Sequence, residues 1–148
     1  ADRILQAPSA TPVVVLMARS GLAMLAVIEG NAEQAGQLYT ALDPWHGTIP
    51  TRLMTVDRIL GLLAHTMGNL EQAVADFEES LAFCRKIGAR PELAWTCCDY
   101  ADTLLRRNNP GDRERAMSLL DESLAISTEL GMRPLMERVL SRRDVLKA

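Results

Sequence analysis

A six-residue block recurs without gaps along this chain. Gly30-Asn31-Ala32-Glu33-Gln34-Ala35 returns as Gly68-Asn69-Leu70-Glu71-Gln72-Ala73, displaced by 38 residues, and Tyr39 then falls on Phe77. A second echo, displaced by 43, carries Gly88-Ala89-Arg90-Pro91 onto Gly131-Met132-Arg133-Pro134. The same step takes Ala73 onto Ala116, Phe77 onto Leu120 and Ser80-Leu81 onto Ser123-Leu124. Ala64 meets Ala101 at a displacement of 37, so the difference is absorbed between Arg106 and Asp112, where Asn108-Asn109-Pro110-Gly111 signals a turn. Repeats of this length are units that bury an apolar face only by stacking on their neighbours.

The offsets read as helix punctuation. Asn69 can cap a helix start while Gln72 reaches back, and Asn31 with Gln34 repeats the arrangement. Leu70, Ala73, Val74, Phe77, Leu81, Cys84 and Ile87 follow steps of three and four, which gives one apolar stripe. Gly88 and Gly131 follow the last apolar residue, as a left-handed C-cap requires, and Pro91 and Pro134 suit the first turn of the next helix. The spacing predicts helices over 12–29, 31–42, 50–67, 69–87, 91–107, 112–130 and 134–147. Residues 1–10 read as irregular, and Asp43–Gly47 as a connector with one helical turn.

Composition removes whole classes of function. With 48% hydrophobic and 24% charged residues and a net charge of −3, the 148-residue chain is expected to be one soluble domain. It lacks the basic excess of a nucleic-acid binder, and the clusters Arg85-Lys86, Arg106-Arg107 and Arg142-Arg143 fall near helix ends, where cations complement the dipole. Aromatic residues amount to only 4%, which favours helices over strands. Cys84, Cys97 and Cys98 form no CxxC motif, so they read as reduced thiols in a cytoplasmic protein. The apolar stretch from Val13 to Ile28 is interrupted by Arg19, Ser20 and Gly21 and reads as a buried helix rather than a membrane span or signal. It is apolar around much of its circumference, which predicts neighbours on two sides. The upstream side would be met by a preceding repeat or by a second copy in a homodimer. The chain opens on Ala rather than Met, as expected either of a section of a longer protein or of a chain whose initiator Met has been removed.

The pattern resembles the tetratricopeptide repeat over about residues 16–133. Leu60-Gly61, Ala64, Ala73, Phe77 and Ser80 fall on that family's signature positions, whereas Asp57 stands where a Trp opens the repeat and Ala64 replaces the usual tyrosine. The longer copies, with a Leu-Gly stop followed by Arg-Pro, resemble C-terminal repeats of large bacterial transcriptional activators and adenylate-cyclase-like signalling proteins, most of all over Ser118–Arg138. The resemblance implies an all-α, right-handed α-α superhelix of three helix pairs, about 12–42, 50–87 and 91–130, with 134–147 as a capping helix.

In such a solenoid the first helix of each pair lines a concave groove. The register places Met17, Met24 and Ile28 there from the first helix. Arg58, Leu62 and His65 come from the third, Trp95, Asp99 and Asp102 from the fifth, and Arg138 and Arg142 from the last. An aromatic anchor among charges of both signs suits capture of a peptide, a helix or a neighbouring domain. The expected function is therefore a non-catalytic protein-protein interaction or scaffold domain, the terminal sensing section of a bacterial regulator. The alternative is a small-molecule sensor with its ligand between Arg58, His65, Trp95 and Asp99. No catalytic residue, metal site or cofactor is expected. His65 with Asp99 or Asp102 lacks a nucleophile, His46 stands alone, and no glycine-rich loop follows a strand.

Overall fold

Asn31 and Asn69 each accept a hydrogen bond from the backbone N–H three residues on, at 3.1 Å to Gln34 and 3.4 Å to Gln72. The glycine before each asparagine closes the preceding helix at positive φ, +65° for Gly30 and +80° for Gly68. There its backbone N–H reaches back to the last carbonyls. Stop and start are thus written into adjacent residues, and the same two-residue hinge recurs between helices. The computed structural model describes residues 11–50 and 54–147, which form seven α-helices. These are α1 (Pro12–Glu29), α2 (Ala32–Leu42), α3 (Val56–Met67), α4 (Leu70–Ile87), α5 (Arg90–Arg107), α6 (Asp112–Glu129) and α7 (Arg133–Lys147), with a 3₁₀ turn at Asp43–Trp45. No strand occurs among the described residues, and the fold is an all-α helical repeat. The expectation for residues 1–10 lies outside the described residues.

One boundary differs from the spacing. The third helix starts at Val56 rather than 50, because Thr55 caps it by accepting the Arg58 N–H at 3.2 Å, while the Val56 N–H is drawn to the Thr48 carbonyl at 3.0 Å. Gln72 also departs from the capping-box expectation, since its Nε2 donates forward to Asp76 at 3.0 Å.

The chain divides into two compact units, Ala1–Asp76 and Phe77–Ala148, with the boundary inside α4. In the first, α1 packs on α2 and α3, and α2 on α3. Small residues permit this approach: Ala23, Ala26 and Ala35 are fully buried, and a Cβ on Gly36 would stand 3.3 Å from the Met67 sulfur. Leu38, Leu42, Ile59 and Leu63 fill the space between. Only one flank of α1 is covered, however. Leu16, Ser20, Ala23 and Ala26 are buried, while Val13, Leu25 and Ile28 are 59%, 51% and 77% exposed, so the expected buried helix is instead a half-covered one. Among the described residues α1 alone is long and apolar enough to cross a membrane by length and composition.

In the second unit, α6 packs on both α5 and α7. Phe77 of α4 stacks on Tyr100 of α5 with centroids 5.7 Å apart. The register-equivalent Ser80 and Ser123 are both fully buried and both bonded to α5, to the Thr96 hydroxyl at 3.2 Å and the Ala94 carbonyl at 2.7 Å. The longer inter-helix turn is closed by Asp112, which accepts from the Arg107 guanidinium at 2.6 and 2.9 Å and from the Asn109 N–H at 2.9 Å. The bonds from Arg107 hold its carboxyl below the usual range against the opposing effect of burial. A lowered folded-state pKa contributes stability above the ordinary value that is lost as pH falls through it. Asp112→Asn should therefore cost about 1–3 kcal/mol at pH 7 and much less near pH 3, as measured by urea unfolding at both values.

Candidate functional site

Met17, Ser20, Gly21 and Met24 of α1, Pro50 and Met54 of the connector, and Ile59 of α3 surround a pocket of about 280 Å³. Two of the residues expected on a binding surface, Met17 and Met24, thus line one real concavity. Among the described residues its walls are largely thioether and aliphatic, and their one hydroxyl, on Ser20, donates to the Leu16 carbonyl at 2.9 Å. Unbranched methionines adapt to the shape of what enters. Among the described residues, such a lining suits an apolar side chain better than a polar one. Of the other residues the register named in this unit, Ile28 is exposed, Leu62 and His65 are half-buried, and Arg58 is only 7% exposed.

In the second unit Trp95 is half-buried and Asp99 is buried, whereas Asp102, Arg138 and Arg142 form one network. Arg138 reaches Asp99 at 2.8 Å and Asp102 at 2.9 Å, and Arg142 Nε donates to Asp102 at 2.7 Å. Burial pushes the Arg138 guanidinium down, but the neighbouring charge of Asp99 and the bond and charge of Asp102 outweigh it and raise its pKa. These four side chains tie α7 to α5. Asp102 is therefore occupied by two arginines from the last helix, which accounts for residues that the spacing reading had placed on a binding face.

Arginines of these helix-end clusters and others on α4 to α7 also have carboxylate partners, three of them about one repeat away. Arg85 bonds Glu122 at 2.9 Å, Arg115 bonds Glu78 at 3.2 Å, Arg90 bonds Glu129 at 2.5 Å, and Arg143 pairs with Asp121 at 2.9 Å. Searching the sequence for acid–base pairs one repeat length apart would have found most of them.

A second cluster was invisible to local pattern. His46, read as solitary, places Nδ1 2.6 Å from Asp57 and Nε2 3.1 Å from Asp43, while the Gly47 N–H donates to the other Asp57 oxygen at 3.0 Å. The connector is thereby tied to the first turn of α3. Nearby, the Tyr39 hydroxyl donates to Asp76 at 2.9 Å. Burial raises the Asp76 carboxyl, opposed by bonds from Gln72 and Tyr39 and by the His46 charge. Burial lowers the imidazole, but its bonds to Asp57 and Asp43 and their charges prevail and raise it.

The three cysteines are free and buried, and burial pushes Cys98 up to about 12, which keeps it a thiol. No group of three or more ligating side chains suited to a metal occurs among the described residues. What the chain offers is surface, carried by repeats. A family profile described as Tetratricopeptide repeat matches residues 52–129, more than half of the chain. The chain belongs to the tetratricopeptide repeat family. Tetratricopeptide repeats generally mediate protein-protein interaction and form a generally non-catalytic fold. No curated protein and no solved structure matches the chain.

The His46 clamp carries a signed pH dependence. A raised folded-state pKa contributes stability that is complete below the ordinary value of 6.5 and is lost as pH rises through the folded value. His46→Gln should destabilise the protein at pH 5.5 by less than about 1 kcal/mol, because the half-exposed ring is screened by water. By pH 9 the deficit should vanish in chemical denaturation.

Proposed function

We propose that this tetratricopeptide repeat chain is a non-catalytic interaction domain that anchors a partner polypeptide by one bulky apolar side chain in the methionine pocket beside α1. The observation that carries this reading is the pocket itself. It is large enough to admit a bulky side chain, and its described wall is almost wholly apolar. A small polar ligand held by Arg58 and Asp99 is less well supported, since both residues are buried.

The setting we propose is the terminal sensing or regulatory section of a bacterial signalling or transcriptional regulator. Support comes from the long repeat period and the Leu-Gly, Arg-Pro junction around Leu130–Pro134. A cytoplasmic location fits three thiols held in the core. Direct contact with nucleic acid is not part of the proposal, because the arginine clusters are largely engaged with carboxylates.

Selection of a displayed random-peptide library against the full chain tests the pocket. The expected result is enrichment of sequences with one invariant Leu, Met or Phe anchor, and loss of their binding by about tenfold or more with Met24→Lys. Trp95→Ala, in the other unit, should leave it unchanged. Enrichment that survives Met24→Lys contradicts the reading.

A further inference from the structure

The first helix of each pair carries one stripe with alternating steps of four and three, the spacing of a helix-packing seam. On α1 it is Val14, Ala18, Gly21, Leu25 and Ile28. Thirty-eight residues on, its described equivalents on α3 are Val56, Ile59, Leu63 and Thr66, and the first three of these are fully buried. A further 37 residues on, Leu93, Thr96, Tyr100 and Thr103 of α5 are 8%, 0%, 3% and 0% exposed. On α1 the same stripe is open: Val14 is 42%, Leu25 51% and Ile28 77% exposed, and a Cβ added at Gly21 would meet nothing within 4 Å.

The later copies show what covers this seam. Thr96 meets Ser80 of α4, and Tyr100 stacks on Phe77 and donates to Glu78 at 2.7 Å. On α5 the neighbour is thus α4, the second helix of the preceding pair, and in the first unit α3 packs on the corresponding α2 as well as on α1. The α1 seam carries no charge, so its complement is apolar, and Gly21 at its centre admits a closer approach than Ile59 or Thr96 allows.

We infer that the Val14–Ala18–Gly21–Leu25–Ile28 seam is a docking site for an amphipathic partner helix of the α4 type, one that presents an aromatic residue followed by small and aliphatic residues at three- and four-residue steps. The occupant is a helix supplied by another polypeptide. The seam shares Gly21 with the pocket wall, but Leu25 and Ile28 lie on the seam and outside the pocket, so a substitution at Leu25 tests the seam apart from the pocket reading. A membrane surface fits less well. The only basic side chain of α1, Arg19, is turned to the Ala41 carbonyl at 3.4 Å, and no cation on this helix flanks the seam.

The test uses the full chain and, as probe, a peptide of residues 69–88 with Cys84→Ala, which contains its own Asn69 cap and Gly88 stop. Saturable binding followed by NMR shifts on α1 is expected, retained by Gly21→Ala and weakened about tenfold or more by Gly21→Arg. Because open space surrounds Gly21, the arginine variant should keep the wild-type circular dichroism spectrum. Leu25→Glu, at an exposed seam position off the pocket wall, should weaken binding by a similar factor, which separates the seam from the pocket that Gly21 also lines. Three results overturn the inference. One is no saturable binding. The second is peptide-independent dimerisation in analytical ultracentrifugation that Gly21→Arg abolishes, which assigns the seam to a second copy. The third is co-sedimentation with phosphatidylcholine/phosphatidylglycerol vesicles that Gly21→Arg abolishes, which assigns it to lipid.

Discussion

Ala35, Ala73 and Ala116 occupy the same place in the repeat, each on the second helix of a pair and each without solvent exposure. A methyl group there lets backbones pass closely, and a longer side chain would force them apart or distort its own rotamer. The rest of the architecture follows from that approach distance. Four residues on, Phe77 and Leu120 are fully buried beside the crossing, while Tyr39 is half-buried and extends its hydroxyl to Asp76. Another three residues on, Ser80 and Ser123 keep buried hydroxyls satisfied on α5. Each larger group fits only because the crossing residue is small.

Over this apolar seam lies a layer of pairs that lock the register. Glu78 with Arg115, Arg85 with Glu122, Arg90 with Glu129 and Asp102 with Arg138 join residues about one repeat apart. The exposed members add little to stability individually, since water and side-chain entropy offset the attraction. Their effect is selective: sliding one helix by a turn would separate several pairs at once. The Asp102 pair is partly buried and joins a carboxylate–guanidinium network with Asp99 and Arg142, so it holds α7 more firmly than its surface counterparts hold their helices.

Helix ends were legible in the sequence because their chemistry is local. Asn31, Asn69, Gly30, Gly68 and Gly131 each act on backbone groups within a few residues, and the spacing located them closely. The segment before α3 was not legible in that way. The Thr48 carbonyl takes the Val56 N–H while the Thr55 hydroxyl caps the Arg58 N–H, and His46 binds an aspartate eleven residues downstream, contacts that exist only once the connector has folded back. The surroundings of the candidate residues were less legible than the helix ends. Met17 and Met24 share a pocket as their register suggests, but periodicity reports which way a residue points and not what fills the space there. For that reason it could not foresee that Arg58 and Asp99 are buried or that two arginines occupy Asp102.

Two surfaces beside α1 follow from the same geometry: a pocket where α1 and α3 diverge near Met54, and a seam that later copies cover and the first leaves open. Both presuppose that the repeat crossing fixes where the helices lie. The most direct measurement replaces buried and exposed alanines on the same helices by leucine and compares urea-unfolding midpoints. Ala73→Leu and Ala116→Leu should each lose about 1–3 kcal/mol through overpacking, while Ala75→Leu and Ala125→Leu, on the exposed faces of α4 and α6, should stay within about 0.5 kcal/mol of wild type. Equal effects at buried and exposed positions would contradict the account.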